Sequence, residues 1–346
     1  PAGSKCSRPP SASRESPRNT HMKPLHLLPA GEAHPHRISS PLSEPGVVFI
    51  KTHATGSSTL TSIMHRFCDA NGSTCFVYPR GVHAGSTLSA AQLRDWVAPD
   101  SIRIFANHAV YEPVSFAALF PTHKVVSLFR HPVARLASSL RHARTAKLEW
   151  WLSAALSGRP RALPWARACG PQGPLMSEHV PLQHLWRLDL VMLTEEYDRS
   201  LVLLRRLLGW SLADLLYLRL KESSGHQQAL ASRFERWLYG AVANTSEGSA
   251  ANLMWQRCVL SDETRLYFWA QQRFREQLRV AAPGIEQEER RFAELQAELA
   301  AACSGTKAAA RPHCARFFED NLQWNARHGG GTTRAASGAS TTETET

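Results

Sequence analysis

Hydrophobic residues occur in two alternating arrangements along the chain. Short apolar runs, each suited to a strand buried on both faces, lie at 47–50, 102–106, 125–129 and 190–194, with a weaker run near 76–78. Apolar residues at helical spacing lie at about 58–70, 90–96, 197–208, 262–280 and 288–302, with a short helix at 212–217. Strands separated by helices predict an α/β fold, in which helices cover both faces of a mostly parallel central sheet.

Two polar segments without periodicity flank this alternating region. Residues 1–45 are rich in Ser, Pro, Arg and His, which predicts a disordered stem or linker. Residues 326–346 form a low-complexity tail that is also predicted to be disordered. Residues 46–325 contain no long linker, so we predict that they form one domain. The chain has no run of 18 apolar residues, and no membrane span is predicted.

Composition narrows the range of possible ligands. The 346 residues are 43% hydrophobic and 20% charged, as in soluble globular proteins, and the formal net charge is +11. A basic balance suits an anionic ligand, and it also suits nucleic acid. However, the sequence has no helix-turn-helix fingerprint, no paired-Cys zinc pattern and no aromatic RNA-binding signature. We therefore predict no nucleic-acid partner.

The most informative segment joins the first predicted strand to the first predicted helix. A polar loop at this point collects unpaired backbone N–H groups and the positive end of the helix dipole, which favours an anionic ester. Further donors are expected from Lys51, Thr52, Thr55, Gly56, Ser57, Ser58 and Thr59. A Walker A loop has Lys directly before Ser or Thr, whereas Lys51 precedes this loop, so a nucleotide kinase is disfavoured. An ordinary turn with a surface Lys is the alternative.

A second strand end adds another candidate anion site. Arg130 ends the apolar run at 125–129, Pro132 follows at the turn, and Ser138 lies on the next predicted helix. Arg supplies a bidentate fork and Ser supplies a hydroxyl, so both groups can bind one phosphate. The alternative is a strand-end Arg paired with a carboxylate.

Histidines near the strand ends are candidates for acid–base chemistry. His108 follows the run at 102–106, and its usual pKa suits a general base near neutral pH. The carboxyl ends of parallel strands share one edge of a sheet, so Lys51, His108 and Arg130 are expected in one crevice. His53 is the rival base, and a structural role for His108 is the alternative. We expect the other histidines, including His65, His83, His123, His131, His142, His179 and His184, to be surface residues or to have satisfied hydrogen bonds.

Taken together, these motifs resemble those of sulfotransferases that use 3′-phosphoadenosine 5′-phosphosulfate, and they are most similar to the galactose 3-O-sulfotransferases. The family loop runs close to FLKTHKTASST, against FIKTHATGSST here, and LRDPVxxxxSS resembles FRHPVARLASS. A third stretch, DLVMLTEEYDRSLVLLRRLLGWSLADLL, also matches the family. The resemblance implies a three-layer, P-loop-NTPase-like sandwich, with residues 46–325 as the catalytic domain.

The resemblance also implies a reaction, in which a sulfuryl group passes to the 3-hydroxyl of a terminal β-galactose on a glycolipid or glycan. Lys51 is expected to stabilise the bridging oxygen, and the loop to hold the 5′-phosphate. Arg130 and Ser138 are expected to hold the 3′-phosphate, while His108 or His53 acts as base. Because a monoanionic sulfuryl group can be served by Lys and His alone, no obligatory metal is predicted. Family members are usually Golgi proteins with an N-terminal anchor, which implies membrane association through a segment absent from this chain.

Two departures from the family pattern accompany the resemblance. Ala54 replaces the second Lys of the loop, which removes one phosphate contact, and His131 replaces the Asp that follows the Arg. A uronic acid 2-hydroxyl as acceptor and a non-catalytic nucleotide- or glycan-binding module are the alternative functions. Trp150, Trp151, Trp165 and Trp186 flank a possible acceptor loop at 158–174, with core packing as the alternative for most of them. Glu195 and Glu196 are expected either to orient an acceptor sugar or to form a solvated acidic pair.

Seven cysteines and two sequons bear on the compartment. Cys68 with Cys75 and Cys303 with Cys314 are spaced for local disulfide loops, and scattered buried thiols are the alternative. A longer Cys169–Cys258 bridge would leave Cys6 without a partner. The sequons at 71–73 and 244–246 are typical of a secretory lumen, which agrees with a Golgi location.

Overall fold

Four parallel strands form the central sheet of the protein, as seen in a computed structural model. The structure describes residues 45–82, 86–142, 175–220, 262–305 and 308–330, together with residues 229, 232, 233 and 236. The strands are β1 (Gly46–Ile50), β2 (Ile104–Asn107), β3 (His123–Phe129) and β4 (Leu190–Leu193). Their spatial order is β2-β1-β3-β4, and each neighbouring pair is parallel.

Both faces of this sheet are covered. Every residue of β1, β2 and β4 is buried, and side chains alternate between the two faces of a strand, so helices flank the sheet as predicted. At the edge where β1 begins, Gly46 allows close packing, because an added Cβ would lie 2.4 Å from the ring of His123 and 2.8 Å from the carbonyl oxygen of Arg103.

Ten α-helices lie within the described part of the chain. They are α1 (Ser57–Asn71), α2 (Ala90–Trp96), α3 (Pro113–Leu119), α4 (Pro132–His142), α5 (Met176–His179), α6 (Tyr197–Leu208), α7 (Asp262–Ala281), α8 (Ile285–Ala302), α9 (Pro312–Ala315) and α10 (Asn321–Arg327). Short 3₁₀ turns span Leu182–Arg187, Thr194–Glu196, Ala213–Leu215 and Ala308–Ala310. None of these helices combines the length and the apolar composition needed to cross a membrane.

Two predicted elements differ from the structure. The segment at 76–78 is not a strand: Cys75 makes a single bridge to Ile104, and the amide of Tyr78 then donates to the side chain of Asn325 instead of to a strand. The short helix predicted at 212–217 is present only as a 3₁₀ turn at Ala213–Leu215, where the carboxylate of Asp214 accepts from the amide and hydroxyl of Ser211 and closes a tight loop.

Two of the predicted disulfides are present. Cys68–Cys75 joins the end of α1 to the segment that precedes β2, and Cys303–Cys314 joins the end of α8 to α9. The predicted Cys169–Cys258 bridge and Cys6 lie outside the described residues, as do the proposed acceptor loop at 158–174 and the sequon at 244–246. Asn71 of the first sequon is exposed at the end of α1.

Helix α10 packs against α1 around the carboxylate of Asp69 and the ring of His65. Asp69 of α1 lies 2.6 Å from a guanidinium nitrogen of Arg327 and 3.2 Å from His328, and it accepts from the indole N–H of Trp324. The ring of His65 stacks on Trp324 with 3.8 Å between centroids. His65 is fully enclosed and its Nδ1 has no hydrogen-bond partner, so the expectation of a surface or satisfied histidine was wrong at this position.

Candidate active site

The sheet brings the predicted site residues to one edge. Ile50 pairs with Asn107 on one side and with Ser127 on the other, so Lys51, His108 and Arg130 all follow strands that end at the same edge. The amide of Lys51 donates to the carbonyl of Asn107 at 3.0 Å. β1 lies between β2 and β3, so the chain continues from β1 to a neighbour on one side and then crosses to β3 on the other side. In open α/β sheets, a ligand crevice forms at such a switch point in the strand order.

Hydroxyl groups brace the loop between β1 and α1 from within. The hydroxyl of Thr52 donates to the carbonyl of Leu128 at 2.6 Å, and that of Ser57 donates to the carbonyl of Thr52 at 2.8 Å. The hydroxyl of Thr55 donates to the same Thr52 carbonyl at 3.1 Å. These bonds direct the hydroxyl hydrogens of all three residues toward backbone carbonyls and fix the loop against the sheet.

Other donors of this loop face outward. Gly56 is exposed and adopts a left-handed conformation (φ 79°) immediately before α1, and Ser58 is half-buried. A helix leaves its first N–H groups without intrahelical partners, so the start of α1 presents backbone donors where Gly56 lets a ligand approach. Thr59 is buried and its hydroxyl accepts from the amide of Leu220, which places it behind the loop.

The loop is also tied to the ends of β3 and β4. Arg130 donates from Nη1 to the carbonyl of Ala54 at 3.1 Å, and the hydroxyl of Thr194 lies 2.6 Å from the carbonyl of Thr55 and 3.0 Å from that of Phe129. Thr194 was not among the predicted site residues, although its position at the end of an apolar run was a signal that could have identified it.

Ala54 occupies a conformation that favours glycine, with φ at 60°. We expect Ala54→Gly to raise the free energy of unfolding by about 0.5–1 kcal/mol, because Gly lacks the Cβ that makes this region costly and the strain exceeds the added chain entropy. Urea unfolding followed by circular dichroism measures the change. Ala91→Gly, at an exposed alanine inside helix α2, serves as control and should lower the free energy of unfolding by about 1 kcal/mol.

Three histidines form one cluster beside Lys51. The rings of His53 and His108 are stacked with 3.9 Å between centroids and 10° between planes, and His179 lies 5.2 Å from His53 and 5.5 Å from His108. His108 and His179 are buried, whereas His53 is half-buried. We predicted a surface or satisfied histidine at position 179, which was wrong: Nε2 of His179 is buried without a partner. His179 belongs to α5, and no signal in the local sequence of this helix connects it with the strand ends.

Backbone carbonyls fix the tautomers of the two buried rings. Nδ1 of His108 lies 2.9 Å from the carbonyl oxygen of Lys51, and Nδ1 of His179 lies 3.0 Å from that of Ala109. A carbonyl oxygen only accepts, so Nδ1 carries the hydrogen in each ring and Nε2 of the neutral ring holds the lone pair. This is the tautomer that a general base needs at Nε2.

The surroundings keep these imidazoles neutral. Burial lowers the pKa of His108 well below its ordinary value, and the charge of Lys51 adds to the effect. Burial also lowers the pKa of His53 to about 3 and that of His179 to about 4, with further lowering by nearby cationic groups. A bound polyanion would oppose this field and raise the pKa of His53 and His108.

Near the end of β3, an ion pair between helices supports the site. Arg135 of α4 and Glu263 of α7 are both buried, with Nε and Oε2 3.1 Å apart, and Glu263 also accepts from the amide of Ser177 in α5. This pair therefore connects α4, which carries the buried Ser138, with α5, which carries His179. Glu195 and Glu196 are both exposed, as expected for a solvated acidic pair, and Glu195 also accepts from the amide of His131 and the hydroxyl of Tyr267.

The structure also gives the contacts of two more residues singled out in the sequence, Glu196 and Trp186. Glu196 pairs with Arg199 one turn later, at 3.2 Å. Trp186 is half-exposed and packs edge-on against Trp269, so it is not a core residue.

Asn107, next to His108, was not predicted as a site residue. Its side chain is buried, and neither of its polar atoms has a protein partner. Ordered water or a ligand usually satisfies such buried polar groups.

Comparison with known proteins decides the family. The sequence profile described as "Galactose-3-O-sulfotransferase" matches residues 17–157 and 175–326, which is most of the chain. The chain belongs to the galactose-3-O-sulfotransferase family. It is 29% identical to human galactosylceramide sulfotransferase over 245 residues, 61% of this chain and 54% of that protein.

Other relatives agree with this assignment. The chain is 30% identical to mouse galactosylceramide sulfotransferase over 203 residues, 50% of this chain and 48% of the relative. It is 28% identical to bovine galactose-3-O-sulfotransferase 3 over 305 residues, 77% of this chain and 65% of the relative. The chain thus spans about half the length of the galactosylceramide sulfotransferases that it matches.

Proposed function

We propose that this protein transfers a sulfuryl group from 3′-phosphoadenosine 5′-phosphosulfate to the 3-hydroxyl of a terminal β-galactose on a glycolipid or glycan. The observation that carries the proposal is the position of Lys51 and the start of α1 at the same sheet edge as a neutral imidazole, His108, in a chain of this family. The two disulfides agree with a secretory lumen, and we propose the Golgi lumen.

The nucleotide would lie along the carboxyl edge of the sheet. Its 5′-phosphosulfate would accept from Lys51 and from the backbone N–H groups of the loop at Gly56, Ser57 and Ser58. Thr52 and Thr55 would hold the loop in shape, since their hydroxyls already donate to carbonyls. The 3′-phosphate would bind the Arg130 guanidinium and the Ser138 hydroxyl, next to the ion pair that positions α4.

The reaction would be an in-line displacement at sulfur. The galactose oxygen forms a bond to sulfur, the bond from sulfur to the 5′-phosphate oxygen breaks, and adenosine 3′,5′-bisphosphate leaves. Nε2 of His108 takes the proton of the acceptor hydroxyl, because its Nδ1 is already committed to the Lys51 carbonyl. The Lys51 ammonium stabilises the charge that develops on the bridging oxygen. His53, stacked on His108 and less buried, is the rival base.

Product analysis tests this function. The protein is incubated with labelled sulfate donor and a panel of acceptors: galactosylceramide, lactose, N-acetyllactosamine and uronic acid oligosaccharides. We expect label on galactose, with the 3-position identified by methylation analysis. Transfer to uronic acid only would replace the acceptor in this proposal, and nucleotide binding without transfer to any acceptor would indicate a binding module.

The proposed 3′-phosphate contact gives a separate prediction. Arg130→Lys keeps one charge but loses the planar fork and its bond to Ala54, so adenosine 3′,5′-bisphosphate should bind about tenfold more weakly, as calorimetry would measure. Arg291→Lys, an exposed substitution on α8, is the control. Unchanged affinity in Arg130→Lys would place the 3′-phosphate elsewhere.

A further inference from the structure

The histidine cluster has a chemical capacity that sulfuryl transfer does not use. One ring nitrogen from each of His53, His108 and His179 lies within 4.8 Å of the other two. Transfer needs one base, so two of these three imidazoles have no role in the proposed mechanism. The buried and unpartnered Nε2 of His179 is the least explained of them, because a buried ring nitrogen without a hydrogen bond carries a free-energy cost.

We propose that His53, His108 and His179 form a binding site for one imidazole-preferring divalent cation, Zn²⁺ above all. Three histidines and an open fourth position are a common ligand set for this ion. The hydrogen bonds from Nδ1 of His108 and His179 to backbone carbonyls are the outer-shell arrangement that usually orients metal-binding histidines with Nε2 toward the metal.

The ring nitrogens and the nearby charges determine which ions this site favours. Because Nδ1 of His108 and of His179 donates to a backbone carbonyl, Nε2 of each neutral ring holds the lone pair that a metal binds. The positive charges of Lys51 and Arg135 oppose any cation here. The site therefore has no electrostatic attraction for Mg²⁺ or Ca²⁺, which need oxygen ligands, and selects ions that bind imidazole strongly.

Binding requires a rearrangement of the cluster. Zn–N bonds of about 2.1 Å in tetrahedral geometry place ligand nitrogens roughly 3.4 Å apart, so the ring nitrogens would have to approach one another by roughly 1 Å. The stacked rings of His53 and His108 direct their in-plane lone pairs side by side, so one of these rings also has to turn out of the stack. His53 is the ring that can tilt, since it is half-buried and belongs to a loop, whereas His108 and His179 are fixed by their carbonyl bonds. An ion held this way occupies Nε2 of His108, and, if the proposed function holds, it inhibits transfer.

Calorimetry with ZnCl₂ on tag-free, metal-stripped protein tests the site without any donor or acceptor. We expect one equivalent of Zn²⁺ to bind and Mg²⁺ in large excess not to compete. Co²⁺ should give the intense visible bands of a four-coordinate nitrogen site. His179→Ala and His53→Ala should each weaken Zn²⁺ binding at least ~100-fold. His313→Ala is the matched control: His313 is exposed, and its neighbours Cys303 and Cys314 are in a disulfide.

Each result decides the proposal. Absence of Zn²⁺ binding to the unaltered protein would overturn it, as would affinity that persists in both His53→Ala and His179→Ala. Should His179→Ala fail to fold, His53→Ala decides alone, because this half-buried loop residue can be removed with little effect on the core. Zn²⁺ binding to a protein that transfers no sulfate even in its metal-stripped form would support the metal site and contradict the proposed function, so the two failures are distinguishable.

Discussion

Replacing His108 with Asn should lower the turnover number for sulfuryl transfer at least ~10²-fold. The Asn amide can still donate a hydrogen bond to the Lys51 carbonyl, as Nδ1 of His108 does, but it offers no basic nitrogen to the acceptor hydroxyl. The affinity for adenosine 3′,5′-bisphosphate should stay within a few-fold of its original value. Transfer to a β-galactoside, measured with saturating donor, gives the turnover, and calorimetry gives the affinity.

Two further variants separate base catalysis from support of the loop. His108→Ala loses both the base and the bond to Lys51, so turnover should fall as far as in His108→Asn while nucleotide affinity also drops. His313→Asn, a surface substitution, should leave both quantities unchanged. Nearly unchanged turnover in His108→Asn would remove His108 as base and transfer that role to His53.

Replacing Glu263 with Ala should lower the free energy of unfolding by about 3–5 kcal/mol. Arg135 and Glu263 are both buried, so removing the carboxylate takes away the principal counter-charge of a guanidinium in the interior. The Ser177 amide loses its acceptor in the same step. Urea unfolding under non-reducing conditions, which keep disulfides intact, measures the loss.

The loss of the principal counter-charge of Arg135, rather than the volume lost at position 263, should account for most of the destabilisation in Glu263→Ala. An apolar replacement of the whole pair, Arg135→Met with Glu263→Leu, should recover most of the stability, since it removes both buried charges. Glu276→Ala lies on the same helix but pairs with Arg273 at the surface, and it should cost no more than about 0.5 kcal/mol. A loss in Glu263→Ala as small as that in Glu276→Ala would contradict the argument.

The fold could be predicted well because its signals are local. β1 and the helix that follows it are encoded by a continuous apolar run and by helical spacing, and both appear where the sequence placed them. The weak run at 76–78 was misassigned because a hydrogen-bond partner is distant in the sequence: the amide of Tyr78 donates to the side chain of Asn325, 247 positions later. Such tertiary ties override a short local preference.

In the candidate site, too, the residues at strand ends could be predicted, whereas those placed by tertiary packing could not. Lys51, His108 and Arg130 follow strands, so the parallel sheet alone predicts their meeting. His179 lies on a four-residue helix beyond a long intervening segment, and only tertiary packing of α5 brings it to the cluster. Arg135 was not among the predicted site residues, and no local pattern connects it with Glu263, 128 positions later.

The central position of β1 has a consequence for synthesis of the chain. Val47 pairs with Ile104 on one side and with Lys124 on the other, so the nascent polypeptide has to extend beyond Phe129 before its first strand gains both neighbours. Closing such long loops is slow, because chain entropy is lost before the contacts form. Cys68 and Cys75 both precede β2 in the chain. In an oxidising compartment, their disulfide can therefore form while the sheet is still incomplete.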